Sequence, residues 1–145
     1  MFVLELKSPL KLPCEMIVTY VLPTTKGALA KELVNRHGMT QVEVARIFGV
    51  TSAAISQYVK GVRGQNSLID KSAYKHDFYK LIAVLADSIA AGGSISDALC
   101  TVCEFTKESG LLKALYVYEN IPLDDITKFN CVRNVIKVNK DDSQL

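Results

Sequence analysis

The stretch that decides the fold of this chain is residues 40–64, Thr-Gln-Val-Glu-Val-Ala-Arg-Ile-Phe-Gly-Val-Thr-Ser-Ala-Ala-Ile-Ser-Gln-Tyr-Val-Lys-Gly-Val-Arg-Gly. Thr40 can cap a first helix, and Glu43, three residues later, completes a capping box. Gly49 follows the apolar positions of that helix, where the chain must turn sharply, and glycine does so without steric cost. Thr51 can then cap a second helix. The pattern predicts two short helices at a steep angle, a helix-turn-helix.

The buried sides of both helices follow from the spacing of their apolar residues. On the first helix Val44 and Ile47 are predicted to face inward, with Phe48 at its end. Ala45 is small where the two helices would touch, and Val50 is expected to insert into the core from the turn. The second helix is expected to bury Ile55, Tyr58 and Val59, which recur at helical spacing.

The side chains on the outward face of the second helix are small or polar and either uncharged or basic, which is typical of a helix that reads DNA. Glutamine can bridge an adenine edge, serine can reach several base edges, and alanine can meet a thymine methyl. No acid occurs between Glu43 and Asp70. We expect Ala53, Ser56 and Gln57 to read bases. Four further residues are expected to contact phosphates: Gln41, Lys60, Arg63 and Asn66. Thr51 and Ser52, at the start of the second helix, complete the set of predicted DNA contacts. The alternative interpretation is a small helical domain whose second helix happens to be polar.

Composition sets the broad class. The chain has 145 residues, of which 49% are hydrophobic and 22% charged, as in a folded globular protein. It contains no apolar run that approaches a membrane span, and its first residues lack the basic start of a secretory signal. We therefore expect a cytoplasmic protein. The formal net charge is +2, but residues 1–64 carry +4 and residues 65–145 carry −2, so the basic excess accompanies the helix-turn-helix.

The rest of the chain is predicted to be all-α: a helix-turn-helix bundle followed by a C-terminal helical region. Pro23 is expected to restart the chain, with Thr24 or Thr25 capping a helix that ends at Gly38. These breaks give three segments: an arm or helix over 1–23, a DNA-binding domain over 24–73, and a dimerisation or sensing region over 74–145.

Four further helical elements are predicted in the C-terminal region. The helix from Tyr74 to Ala91 is apolar enough, with Val84 and several alanines widening its stripe, to be buried on two sides. Ser94 can cap the next helix and Gly110 ends it. A further apolar segment runs from Leu111 to Tyr118, and a last element with apolar positions begins at Asp124. Because these helices hold more apolar positions than one bundle needs, we predict a homodimer through residues 74–136.

The four cysteines, Cys14, Cys100, Cys103 and Cys131, leave three interpretations open. They can fill core space as small hydrophobes. They can hold zinc or an iron–sulfur cluster, since Cys100 and Cys103 form a Cys-x-x-Cys pair that Cys14 and Cys131 would complete. They can also act as a disulfide or redox switch. The chain lacks a Ser/His/Asp set, a glycine-rich phosphate loop and a functional carboxylate pair, so we do not expect an enzyme.

Residues 25–64 resemble the lambda-repressor-like (Cro/repressor, xenobiotic-response-element type) family of DNA-binding domains. The resemblance implies that Gln41 contacts a phosphate and that the recognition helix spans residues 51–60. Over residues 13–112 the chain also resembles a group of predicted archaeal transcriptional regulators, through motifs such as Pro13-Cys14-Glu15 and Cys100-Thr-Val-Cys103. Members of that group carry a further Cys where Lys113 stands here, so a shared metal site would need Cys131 as its substitute.

Three classes of function therefore remain. The favoured one is a sequence-specific transcriptional regulator, acting as a repressor, that binds double-stranded DNA and responds to a signal through its cysteines. The alternative is a protein-interaction module, an antitoxin or adaptor, with secondary DNA affinity. A thiol oxidoreductase using Cys100 and Cys103 is the least favoured.

Overall fold

The computed structural model describes residues 12–61 and 67–122, which are helical and contain no strand. The all-α prediction is therefore confirmed for this part of the chain. Arg63, Asn66, Cys131 and the element predicted after Asp124 lie outside the described residues. The helices, in chain order, are α1 (Pro13–Met16), α2 (Leu22–Lys31), α3 (Gln41–Phe48), α4 (Ser52–Val59), α5 (Ser67–Lys71), α6 (Lys75–Ala90), α7 (Ile95–Ser109) and α8 (Leu111–Tyr118).

The chain does not restart at Pro23, as the sequence predicted. The π-helical segment Ile17–Val21 joins α1 to α2, and a second one, Glu32–Arg36, continues α2, so that one helical run extends from Pro13 to Arg36. The wider turn before α2, in which the Leu22 N–H donates to the Ile17 carbonyl, is the kind of distortion that accommodates a proline lacking its own N–H.

Thr24 and Thr25 do not cap a helix. Both are buried inside the run, and their hydroxyls donate back to the carbonyls of Tyr20 and Val21, at 3.4 and 2.8 Å. This backward bonding is how a helix-interior threonine satisfies its hydroxyl. The cap prediction was wrong because it depended on the break at Pro23.

The helical run lies at the centre of the bundle. Helix α2 packs against α4, α6 and α7, α7 packs against α8, and α8 returns to α1. Buried side chains from both sides of the predicted boundary at residue 73 belong to one hydrophobic core, to which α2 contributes Leu29, α4 Ile55, α6 Phe78 and α8 Leu115. The division into three segments stays a prediction.

Most of the predicted helix ends in the C-terminal half of the chain are confirmed. Ser94 caps α7 by accepting from the N–H groups of Ser96 and Asp97, and Gly110 ends it with a φ of 90°. Helix α6, however, is buried on one side only. Phe78, Ile82, Leu85, Ala86 and Ile89 are buried. The side chain of Val84 is 58% exposed, because the neighbours of α6 pack on the opposite side.

Candidate nucleic-acid interface

Local hydrogen bonds fix the two ends of α3. The Thr40 hydroxyl accepts from the Glu43 N–H at 3.1 Å, and the Glu43 carboxylate accepts from the Thr40 N–H at 2.9 Å, so the predicted capping box is present. At the other end the N–H groups of Gly49 and Val50 donate to the carbonyls of Arg46 and Ala45. This is the Schellman arrangement, which requires a left-handed residue, and Gly49 supplies it with φ 68° and ψ 32°.

The turn leads directly into α4. Thr51 is extended and its hydroxyl accepts from the Ala54 N–H at 3.1 Å, which confirms the second predicted cap. Helix α4 buries Ala54, Ile55 and Tyr58 and packs against α2 and α3. The helix is therefore held from its inner side, and its outer side is free for contact.

The outer side carries the residues that the sequence assigned to DNA. Ser52, Ala53 and Gln57 are exposed, as are Thr51 and Lys60 at the two ends of the helix. Ser56 is half-buried, and so is Gln41 at the start of α3. Helix α4 contains no acidic residue, and the exposed Arg46 on α3, not among the predicted contacts, adds a positive charge to the pair. The arrangement offers hydrogen-bonding and small apolar groups together with the positive charges of Arg46 and Lys60, which suits base edges flanked by phosphates.

Two apolar side chains of the same helix pair are exposed, and one of them, Val50, departs from the sequence prediction. Val50 does not insert into the core, since 39% of its surface is exposed, because the Schellman turn holds its backbone at the end of α3. Val42 on α3, to which the sequence pattern assigns no role, is 57% exposed. Val42 and Arg46 are four positions apart and lie on one side of α3, whereas Val50 follows the left-handed Gly49 and lies beyond the end of the helix.

An ion-pair cluster attaches the end of the central helical run to α6. Arg36 Nη2 donates to Asp87 Oδ1 at 2.6 Å and to the Ala83 carbonyl at 3.1 Å, and Arg36 also pairs with Glu32. His37 Nε2 lies 2.9 Å from the same Asp87 oxygen. The hydrogen bond from Arg36, and next that of His37, hold the pKa of the Asp87 carboxyl below its ordinary value.

A second polar contact holds α5, the short helix that follows residues 62–66. The Tyr79 hydroxyl on α6 donates to Asp70 Oδ1 at 2.7 Å. Partial burial, and then this bond to a carboxylate, raise the pKa of Tyr79 to about 12. Helix α6 is thus connected to the segment that precedes α3 in the sequence and to the segment that follows α4.

The exposure of the cysteine side chains bears on the three interpretations left open by the sequence. Cys14 and Cys100 are exposed, so core filling is wrong for these two thiols, whereas Cys103 is half-buried against the core. Within residues 12–61 and 67–122, no three His, Cys, Asp or Glu side chains are arranged to hold a metal ion. A zinc or iron–sulfur site that includes Cys131 stays a prediction.

Comparisons with known proteins add no relative. No family model matches the sequence, and neither a curated protein nor a solved structure matches it. In the part of the chain that the structure describes, no helix has the length and apolar character needed to cross a membrane.

Proposed function

We propose that this chain is a sequence-specific DNA-binding transcriptional regulator, acting as a repressor, that inserts residues 51–60 into the major groove. The observation that carries the proposal is the outer side of α4, which is exposed, free of acid and lined by Ser52, Ala53 and Gln57. A helix that is merely solvated usually mixes Glu and Lys on its outer face.

The first test is selection of bound sequences from random double-stranded DNA. Under this proposal a consensus is enriched, and a two-fold symmetric consensus is expected because a dimer presents two recognition helices about 34 Å apart. Recovery of random sequence alone would refute a sequence-specific regulator.

Gln57→Ala tests how α4 is oriented. Loss of a bidentate contact to adenine should cost about 1–3 kcal/mol at the selected site and little on random DNA. Asn35→Ala is the matched control, because Asn35 is also an exposed amide and lies outside α3 and α4. Binding constants for both variants on selected and random duplexes give the comparison. Unchanged base preference in Gln57→Ala would show that α4 faces DNA differently.

Lys60→Ala tests the phosphate contacts. Lys60 is exposed at the C-terminal end of α4. Its removal should weaken binding to all sequences and reduce the slope of log affinity against log salt by about 1, since one counterion fewer is released. A loss confined to the selected sequence would instead assign Lys60 to base reading.

Dimerisation through residues 74–136 is the second part of the proposal. Its support in the described residues is the 58% exposed Val84 on α6, an apolar side chain that the single chain leaves uncovered. Sedimentation equilibrium at micromolar concentration should give twice the 15.9 kDa chain mass. A mass equal to that of one chain at micromolar concentration would contradict the proposed dimer.

The exposed Val42 and Val50 favour one alternative, a protein-interaction module of the antitoxin or adaptor kind. Contacts to the DNA backbone use polar and basic groups, so an exposed valine on α3 and another just after it fit a protein partner better. Val42→Ser with Val50→Ser should then abolish recovery of a stoichiometric partner and leave DNA affinity unchanged. The opposite result, intact recovery, would reject these valines as a protein contact.

A further inference from the structure

Two cysteines lie about one helical turn apart on α7, outside the helices proposed to bind DNA. Cys100 is exposed, Cys103 is half-buried, and both thiols are free. Residues three positions apart on an α-helix are neighbours on its surface. The buried side of α7 is centred instead on Val102 and its neighbours one turn away. The two thiols therefore form an adjacent pair that solvent reaches through Cys100.

The helix keeps this pair from closing into a disulfide. Cβ atoms three positions apart on a helix are separated by about 5–6 Å, whereas a disulfide requires about 3.5–4.5 Å between its two Cβ atoms. Both cysteines lie more than one turn from either end of α7, which spans Ile95–Ser109, so the bond could close only if the helix unwound. The pair therefore persists as a dithiol while α7 is folded.

A single ion that binds both sulfur atoms spans a wider gap than an S–S bond does. Thiolates select Cu(I), zinc and iron–sulfur clusters. Structural zinc and the clusters take four protein ligands, and residues 12–61 and 67–122 contain no group of even three candidate ligands. Cu(I), in contrast, forms stable complexes with two thiolates placed on opposite sides of the ion. We propose that Cys100 and Cys103 form a two-thiolate site for a monovalent soft cation of the Cu(I) type.

The charged neighbours of the pair suit this ion. Binding releases the two thiol protons to solvent and leaves a complex of net charge −1, because two thiolates then hold one monovalent cation. Lys107 is half-buried four positions after Cys103, on the same side of α7, where its positive charge offsets that of the complex. Asp97 and Glu104 are exposed neighbours of Cys100, and their carboxylates attract the incoming cation.

Anaerobic titration with Cu(I) in competition with the chelator bicinchoninate tests the site, because absorbance of the chelator complex reports the copper that the protein does not hold. The wild-type chain should bind one Cu(I) per chain. Cys100→Ser/Cys103→Ser should bind more weakly by at least about 100-fold, since even changes beyond the ligands cost 10–100-fold at metal sites. Cys14→Ser removes an exposed thiol on α1 and is the control, which should match the wild type.

Three results of this titration would overturn the proposal. Equal affinity in the wild type and in Cys100→Ser/Cys103→Ser would place the copper elsewhere. An equal loss in Cys14→Ser would show that the ligand set extends beyond the pair. One ion per two chains would assign the pair to a four-thiolate site shared by two copies.

Two further variants test the spacing of the pair at a constant number of thiols. In Cys103→Ser/Glu104→Cys the thiols are four positions apart and again neighbours on α7, so the Cu(I) affinity should stay within about tenfold of the wild type. In Cys103→Ser/Thr101→Cys they are consecutive and point to different sides, so the affinity should fall well below that range. Equal affinity in these two chains, with helicity matched by circular dichroism, would overturn the two-thiolate site.

The inference goes beyond the proposed function, which rests on α4. Helix α7 packs against α2, and α2 packs against α4, so the ion site is one helix removed from the surface proposed for DNA. Copper binding is measured without DNA, and selection of bound DNA sequences is measured without copper. The proposed function and this inference can therefore fail separately.

Discussion

At the scale of single residues, Gly49 sets the angle between α3 and α4. Its backbone is left-handed, with φ 68°, and a side-chain Cβ placed there would meet no atom within 4 Å. Substitution is therefore opposed by backbone strain and not by packing. Gly49→Ala should lower the free energy of unfolding by about 1 kcal/mol, and Gly49→Asn by less, because asparagine tolerates this conformation better. Urea denaturation measures both, and equal losses in the two variants would contradict the backbone explanation.

Residue-level features were predictable where their partners lie within about four positions along the chain. Thr40 with Glu43, Thr51 with Ala54, and Gly49 at the turn are all of this kind. The prediction for Val50 was wrong because its exposure depends on how the whole turn sits on the bundle. The side chains proposed for DNA contact were selected by chemistry and spacing, and the exposure of most of them follows from the burial of Ile55 and Tyr58.

At the scale of helices, Asp87 joins the end of the central helical run to α6 by accepting from Arg36 and lying against His37. The pKa of its carboxyl is lowered from 3.8, so the stabilisation is complete above that ordinary value and is lost as the pH falls through the lowered one. Asp87→Asn should reduce the midpoint of thermal unfolding at pH 7, and the difference from wild type should shrink toward zero in acid. Glu104→Gln, an exposed carboxylate on α7, is the control. A difference that persists unchanged at low pH would exclude the charge as its cause.

The sequence predicted the helix ends near Arg36 and His37 but not their partner. Asp87 is 51 positions from Arg36, and a pairing across that distance depends on how α2 and α6 pack. The break at Pro23 failed for a related reason. Proline ends an isolated helix, whereas here the preceding π-helical segment and the buried side of α2 keep the run continuous.

At the scale of the whole molecule, one core joins α3 and α4 to the C-terminal helices. Leu115 on α8 and Ile55 on α4 are both fully buried members of it. Leu115→Ala should therefore destabilise the entire described bundle by about 2–5 kcal/mol, the cost of a large-to-small change in a core. Lys113→Ala, on the exposed side of the same helix, should cost little. The comparison tests whether the predicted boundary at residue 73 separates independent units.

Native-state hydrogen exchange gives the decisive readout for that question. If the bundle unfolds as one unit, Leu115→Ala should accelerate exchange at the Ile55 amide in α4 and at the Val102 amide in α7 by the same factor, since both amides then open only with global unfolding. If residues 24–73 form a separate domain, only Val102 should respond. Exchange should be compared at one pH in both variants and the wild type. If the Ile55 amide exchanges in Leu115→Ala at the wild-type rate, the predicted boundary is supported, and the stability of α3 and α4 does not depend on the C-terminal region.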